Sequence, residues 1–516
     1  MKRLGLHYLR RSAVSLAGIS YLLFLVPVSA AARESGDLDQ ILQELEAYAQ
    51  QLQSEQRVPG MAYAVVEGSD TVYTRGFGFR DRDASSGMVD EATLFEIGST
   101  TKAFNAAVLG TLVDEGKVAW GDKVRDHFPD FKMYDSWVTK EFLVADLLAQ
   151  RPGIPPYSLD MMSLVGFSRR DIMRATRYVE PVSSFRSQFS YQNNLHLWAA
   201  ELIERKTGMA WEEVVRQRVL EPLGMSESTF DFATNDANPN HAMGHVPQSD
   251  GSLWTIPSNW PYRGWLLTYA PAGGLNSNVR DMARWVALQI GEGTFGGKVF
   301  LKPETVQTIR APRIFMASTA TGTASYATAW VFQSSSTTPF YWHNGETVGM
   351  HSIVAVYPEG DLGLVVLTNT SGNTVPECMV LKLLELYFGN VPLPCATHGM
   401  EDIAPGRRSL PGPIVEPDNN ESAIPLNKLV GTYSNPAYGK IIIEKAGSGI
   451  TLTIGLTPRS GPLSPIGTNQ FRFDWPDWPG QHSTVVFRAG PSGNVTKLRV
   501  LELFDVQGGD FRRIAY

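Results

Sequence analysis

Ser99-Thr100-Thr101-Lys102 places a hydroxyl and an amine three residues apart, at the head of an apolar run that reaches about Glu115 and stops at Gly116. In a helix that step puts both side chains on one face, one turn apart. A serine is a poor nucleophile until a neighbour takes its proton, and a lysine partly desolvated in a pocket can do so. The helix N-terminus adds N–H groups and a positive dipole end where negative charge would develop on an attacked carbonyl. Taken alone the pattern is weak, because Ser favours helix starts and Lys is common inside helices.

Other residue types suggest less. His241 and His245 would share a helical face, but His-Ala-Met-Gly-His lacks the glutamate of a zinc protease and follows the turn-like Asn238-Pro239-Asn240, so no metal is assigned. Asp474-Trp475-Pro476-Asp477-Trp478 reads as tryptophans closing a small β-core, with a sugar-binding platform as the other reading. Cys378 and Cys395 are the two cysteines, and they either pair or remain as buried thiols.

The elements that must position Ser99 and Lys102 can be read around them. Leu38 to Gln53 repeats apolar residues at helical spacing, and Met61 to Glu67 and Thr71 to Phe77 form a hairpin pattern around Gly68-Ser69-Asp70. From Lys123 to about Trp260 short helical patterns alternate with Pro and Gly turns. Strand-like runs return at Ala327–Gln333, His351–Tyr357 and Gly363–Thr368, and a helix spans about Pro376 to Phe388. Strands at both ends with helices between predict an α+β domain whose sheet is completed by distant parts of the chain.

Residues 396–425 are rich in Pro, Gly and Asn and read as a linker. Beyond it, short runs at Gly431–Tyr433, Lys440–Lys445, Ile450–Ile454, Gln470–Asp474, Ser483–Arg488 and Lys497–Phe504 predict a small antiparallel β-barrel or sandwich over 426–516. The first thirty residues carry Lys2, Arg3, Arg10 and Arg11, then an apolar stretch, then Ser29-Ala30-Ala31-Ala32, the order of a cleavable secretory signal. An uncleaved anchor is the competing reading, but the apolar core is short for a span of about 20 residues and is broken by Ser and Gly. This leaves 31–395 as the main domain and predicts secretion to the extracellular space, or to the periplasm of a bacterium, with no stable membrane insertion. The sequons at Asn369, Asn420 and Asn494 would suit an extracellular glycoprotein.

Loss of residues 1–30, with their four positive side chains, takes the formal charge from −7 to −11. An acidic chain with no basic run gives a nucleic-acid partner little electrostatic support.

The run Phe95-Glu96-Ile97-Gly98-Ser99-Thr100-Thr101-Lys102, with Glu115-Gly116-Lys117-Val118 behind it, resembles the nucleophile segment of penicillin-recognising serine hydrolases. It is most similar to the class C β-lactamase branch with its D-aminopeptidases, esterases and animal mitochondrial β-lactamase-like protein. Asp146-Leu147-Leu148-Ala149-Gln150-Arg151-Pro152-Gly153-Ile154-Pro155, Glu221-Pro222-Leu223-Gly224-Met225 and Pro271-Ala272-Gly273-Gly274-Leu275 resemble further segments of that branch, over roughly residues 38 to 390. The resemblance implies a β-lactamase/transpeptidase-like domain, an acyl-enzyme on Ser99, a small-molecule or peptide substrate, and no cofactor.

By the same resemblance Tyr191-Gln192-Asn193 is the second motif. Tyr191 would shuttle a proton with Ser99 and Lys102, as phenol or as phenolate, and Asn193 would bond Lys102 or the substrate amide. His343-Asn344-Gly345 stands where the family has Lys-Thr-Gly. A His also occurs there among esterase and peptidase relatives, but the loss of cation and hydroxyl weakens the case for a β-lactam carboxylate. A His343 packed merely as a strand residue is the other reading. Gly345 would let substrate approach the strand, and the Glu346 N–H would be a second oxyanion donor beside that of Ser99. The loops Met161–Gln188 and Ala233–Thr268 would set specificity. The alternative function is a catalytically weak relative associated with the extracellular matrix or acting as a binding protein.

Overall fold

The computed structural model describes residues 35–82, 87–319, 322–335, 338–389, 395, 424–503 and 509–514. The expected signal at 1–30, nearly all of the linker at 396–425 and the Asn420 sequon lie outside these.

The first helix, α1 (Ser35–Glu55), leads into the hairpin of β1 (Gly60–Glu67) and β2 (Asp70–Gly78). Successive β1 side chains point to opposite faces, and both faces are covered. Met61, Tyr63 and Val65 meet Leu45 and Ala49 of α1, whereas Ala62, Ala64 and Val66 join the core containing Phe104 and Val286. Those two residues sit on α2 (Thr101–Asp114) and α4 (Val279–Ile290), with α3 (Asn194–Thr207) between them in the chain. The α2 helix is buried around nearly its whole circumference, as its apolar sequence requires.

Six later strands complete the sheet: β3 (Ile314–Thr319), β4 (Gly322–Tyr326), β5 (Val331–Ser335), β6 (Phe340–Glu346), β7 (His351–Tyr357) and β8 (Leu362–Thr368). The order β2-β1-β8-β7-β6-β5-β4-β3 is antiparallel throughout, so the N-terminal hairpin is closed onto the last strand. The α+β expectation therefore holds. Ala327–Gln333 is a turn and a strand start rather than one strand, because Ala329 has φ +62° and Ala327 N–H bonds the Trp330 carbonyl. Helix α5 (Val375–Phe388) packs beside α1 and carries Cys378, which is disulfide-bonded to Cys395.

The C-terminal domain is a closed eight-stranded barrel of β9 (Gly431–Asn435), β10 (Gly439–Ala446), β11 (Gly449–Ile454), β12 (Arg459–Gly467), β13 (Gln470–Asp474), β14 (His482–Ala489), β15 (Val495–Val500) and β16 (Asp510–Arg513). Alternate residues such as Ile441, Ile443, Leu452 and Ile454 fill its core. The barrel docks on the first domain. Val165 accepts from the amides of Leu456 and Thr457, Trp260 Nε1 donates to the Asp477 carbonyl, and Tyr262 donates to the Pro476 carbonyl. No helix among the described residues is long and apolar enough to cross a membrane.

Three expectations are corrected. Asn369 is buried, accepts from the Gly60 amide and donates to the carbonyls of Phe79 and Arg80, so the fold leaves no room for a glycan there; Asn494 is exposed. His241 and His245 share no helix: His245 lies in a short strand, fully buried, with Nδ1 on the Asn369 carbonyl. Trp475 does close the barrel core, but Trp478 packs outward on Trp260 and Tyr262, with ring centroids 5.0 and 5.3 Å away.

Candidate active site

Ser99 lies in a 3₁₀ turn, Gly98–Thr100, that feeds directly into α2. Residues three apart across this junction share one helical face, which sets Lys102 beside Ser99. Lys102 Nζ is 2.9 Å from Ser99 Oγ and donates to the Ala272 carbonyl at 2.7 Å. Lys102 is fully buried, and burial pushes its amine well below the usual lysine range, with nearby Asp160 opposing the shift.

Tyr191 sits on a loop held by the Asp146–Pro155 segment. The Gln150 side chain donates to the Gln192 carbonyl and accepts from the Gln192 amide, in the way a neighbouring strand would. Asp146, buried beneath, is clamped by Arg151 and Arg186. The Tyr191 ring lies under the amine, 4.8 Å from Lys102 Nζ to the centroid. Burial, then Tyr326, push its pKa well above the tyrosine range, with Ser99 pulling the other way; Tyr191 is therefore a phenol at neutral pH and not a phenolate. Asn193 donates to Asp160 at 2.8 Å, while Lys102 is occupied by Ser99 and Ala272, so the expected Asn193 to Lys102 bond is not formed.

The third segment is arranged differently from the expectation. His343 is buried behind Tyr191, not in the cleft, with ring centroids 6.3 Å apart. Its Nδ1–H donates to the Asn344 carbonyl and its Nε2 accepts from the Tyr326 hydroxyl at 2.9 Å. Burial, then Lys102, bring its pKa down to about 3, so it is a neutral ring supporting the tyrosine layer. Gly345 is required by the protein's own packing: a Cβ there would lie 2.0 Å from the Ile97 carbonyl and 2.7 Å from Ser99 N. Gly98, at φ +53°, is equally constrained, since its Cβ would meet Glu346 N at 2.8 Å. The two glycines let the Ser99 turn and β6 pack tightly at the amides of Ser99 and Glu346, the pair expected as oxyanion donors.

A cleft of about 500 Å³ opens over Ser99, bordered by Tyr157, Asp160, Tyr191, Asn193, Trp265 and Glu346 from the first domain. Trp478 and Gln481 of the barrel complete its wall. Tyr157 and Leu159 both take positive φ (+59° and +71°), strain held where this loop presents Tyr157 and Asp160 to the cleft. No group of three or more metal-ligating side chains occurs among the described residues.

Residues 41–386 match the family described as Beta-lactamase. The chain belongs to the beta-lactamase family. Residues 416–513 match a domain of unknown function, DUF3471, a range that includes all eight barrel strands. An unguisins hydrolase of Aspergillus campestris is 28% identical over 80% of this chain and 78% of its own. The flp protein of Staphylococcus aureus strain MW2 is 24% identical over 62% of this chain and 61% of its own. The octameric penicillin-binding protein homologue from Pyrococcus abyssi shares the fold, with a TM-score of 0.60 at 22% identity, over 89% of this chain and 98% of that one. SurE aligns with a TM-score of 0.56 at 21% identity, over 93% and 100%.

This beta-lactamase-family protein is thus a serine hydrolase whose Ser99, Lys102 and Tyr191 come together at the foot of one cleft. Sequence reasoning missed Asp160, Ala272, Tyr326 and Trp478. Ala272 lay inside a segment already singled out, Pro271–Leu275, but a backbone carbonyl leaves no residue-type signal. Asp160 fell just outside the suspected specificity loop. Trp478 was visible as a residue, yet its place at the cleft depends on how two distant domains dock.

Proposed function

We propose that the chain is a secreted hydrolase that cleaves an ester or amide through an acyl-enzyme on Ser99. The observation that supports this most directly is the buried, pKa-depressed Lys102 amine 2.9 Å from the Ser99 hydroxyl. In the reaction Lys102 Nζ takes the Ser99 proton as Oγ bonds to the acyl carbon. The amides of Ser99 and Glu346 hold the resulting oxyanion, and the Tyr191 ring faces the newly charged ammonium. Collapse breaks the bond to the leaving group, which receives a proton through the Tyr191 phenol, itself reprotonated from Lys102. Water then attacks the acyl carbon, giving its proton to Lys102; collapse breaks the bond to Oγ, which takes that proton back from Lys102, and the carboxylic acid departs with Ser99 restored. Two environments push the base down and the acid up, the pattern by which one site holds both.

The Aspergillus relatives are named as hydrolases, which favours turnover over a purely binding role. Secretion is supported by the order of residue types in 1–30 and by the Cys378–Cys395 disulfide, which persists in oxidising compartments. The test is a fluorophosphonate probe followed by intact mass. One adduct on wild type and none on Ser99→Ala is expected; no adduct on wild type would overturn the reading in favour of a non-catalytic, matrix-associated role.

A further inference from the structure

The cleft over Ser99 has a composition that selects among substrates. Its sides are apolar and largely aromatic: Tyr157, Met161, Leu164, Trp265, Tyr269 and Val348 border it together with Trp478. The charged residues along its lining are Asp160 and Glu346, both negative. They flank the nucleophile from different elements. Asp160 accepts from Asn193 and acts electrostatically on Lys102 and Tyr191, whereas the Glu346 carboxylate accepts from the Gly372 amide and its backbone N lies against Gly98, the residue before Ser99. Arg263, which lines the adjoining pocket, is committed to Asp236 and Glu96. The Tyr191 hydroxyl is buried at the cleft floor beside Ser99.

The barrel contributes to this site through a braced loop. The Asp477 and Pro476 carbonyls accept from Trp260 and Tyr262, and the Trp478 ring rests against both of those rings. Trp478 is therefore fixed in place before any substrate arrives, so its apolar face costs little entropy to use.

We propose that Trp478 completes the substrate pocket, and that the pocket takes a bulky apolar acyl donor with no carboxylate beside its scissile bond. Aromatic walls reward burial of apolar area, and two carboxylates in a partly desolvated cleft repel a third. Trp478 is a specificity residue and not a catalytic one: it touches the acyl chain and leaves the reacting atoms alone. The proposal rests on the acyl-enzyme reading of Ser99.

The experiment compares three p-nitrophenyl esters, acetate, 3-phenylpropionate and hemisuccinate, on the full mature chain carrying wild type, Trp478→Ala, Trp478→Phe and Glu346→Gln. Wild type is expected to prefer phenylpropionate over acetate and to disfavour hemisuccinate. Trp478→Ala should raise KM for phenylpropionate roughly tenfold while acetate hydrolysis stays within about twofold and the fluorophosphonate labelling rate is kept. Trp478→Phe should retain most of the preference, and Glu346→Gln should narrow the gap between phenylpropionate and hemisuccinate. Equal losses on acetate and phenylpropionate in Trp478→Ala, or hemisuccinate cleaved as well as phenylpropionate by wild type, would overturn the proposal while labelling of Ser99 leaves the hydrolase reading standing. Absence of labelling on wild type would overturn both.

Discussion

Lys102 Nζ lies over the face of the Tyr191 ring, 4.8 Å from its centroid, so the group that gains a proton during acylation is met by the negative face of the group that holds one. Charge moves between neighbours here, with Asp160 near enough to act on both. From this, Lys102→Ala should lower kcat/KM for a small ester by about 10²–10⁴, and Lys102→Arg should not restore it because a guanidinium does not deprotonate. Tyr191→Phe keeps the ring and removes the phenol, so it should retain Ser99 labelling better than Lys102→Ala while turnover falls. Steady-state kinetics beside probe labelling reads the difference.

Two buried histidines give opposite pH signs. His343 has its pKa depressed from 6.5 to about 3 by burial and then Lys102; its stabilisation is present above pH 6.5 and is lost as pH falls toward 3. Burial also pushes His351 down, but Glu377, 3.1 Å from its Nε2, outweighs that and raises it to about 9. That stabilisation is complete below pH 6.5 and is lost as pH rises through 9. Denaturant titrations at pH 5, 7 and 9.5 should show His343→Phe flattening the acid side of the stability profile and His351→Phe the alkaline side.

Gly345→Ala is expected to abolish Ser99 labelling. The added methyl would meet the Ile97 carbonyl at 2.0 Å, so either β6 or the nucleophile turn must move. Circular dichroism together with probe labelling checks this: a variant that folds and labels at the wild-type rate would contradict the packing described.

Reduction of Cys378–Cys395 should lower stability by about 3 kcal/mol, the loop-closure value for a bridge of this sequence separation. Differential scanning calorimetry with and without reductant reads the drop. Ser99 labelling at 25 °C should persist, because α5 packs against α1 on the sheet face away from α2.

Much of this architecture is legible from periodicity. The β1–β2 hairpin, α2, β7, β8 and α5 all stand where apolar spacing and turn residues put them, because each buries one or two full faces. Strand β12 was not legible: Gly461, Pro462, Pro465 and Gly467 mark it as loop, and it tolerates them through its exposed, irregular pairing. Tyr191 and Lys102 could be placed by motif, but their opposite pKa shifts come chiefly from burial, which depends on how distant parts of the chain pack. His343 could not be resolved between ligand contact and packing, because β6 residues alternate faces and only its register with β7 shows which face His343 takes.

The pairing of Met61–Glu67 with Leu362–Thr368 has a consequence for biosynthesis. The sheet that braces the Ser99 turn cannot close until some three hundred residues after β1 have emerged, and the last wall of the cleft, at Trp478, follows a hundred residues later still. Non-local pairing of this kind is completed late. The order of synthesis thus keeps the nucleophile unassembled until most of the chain has been made.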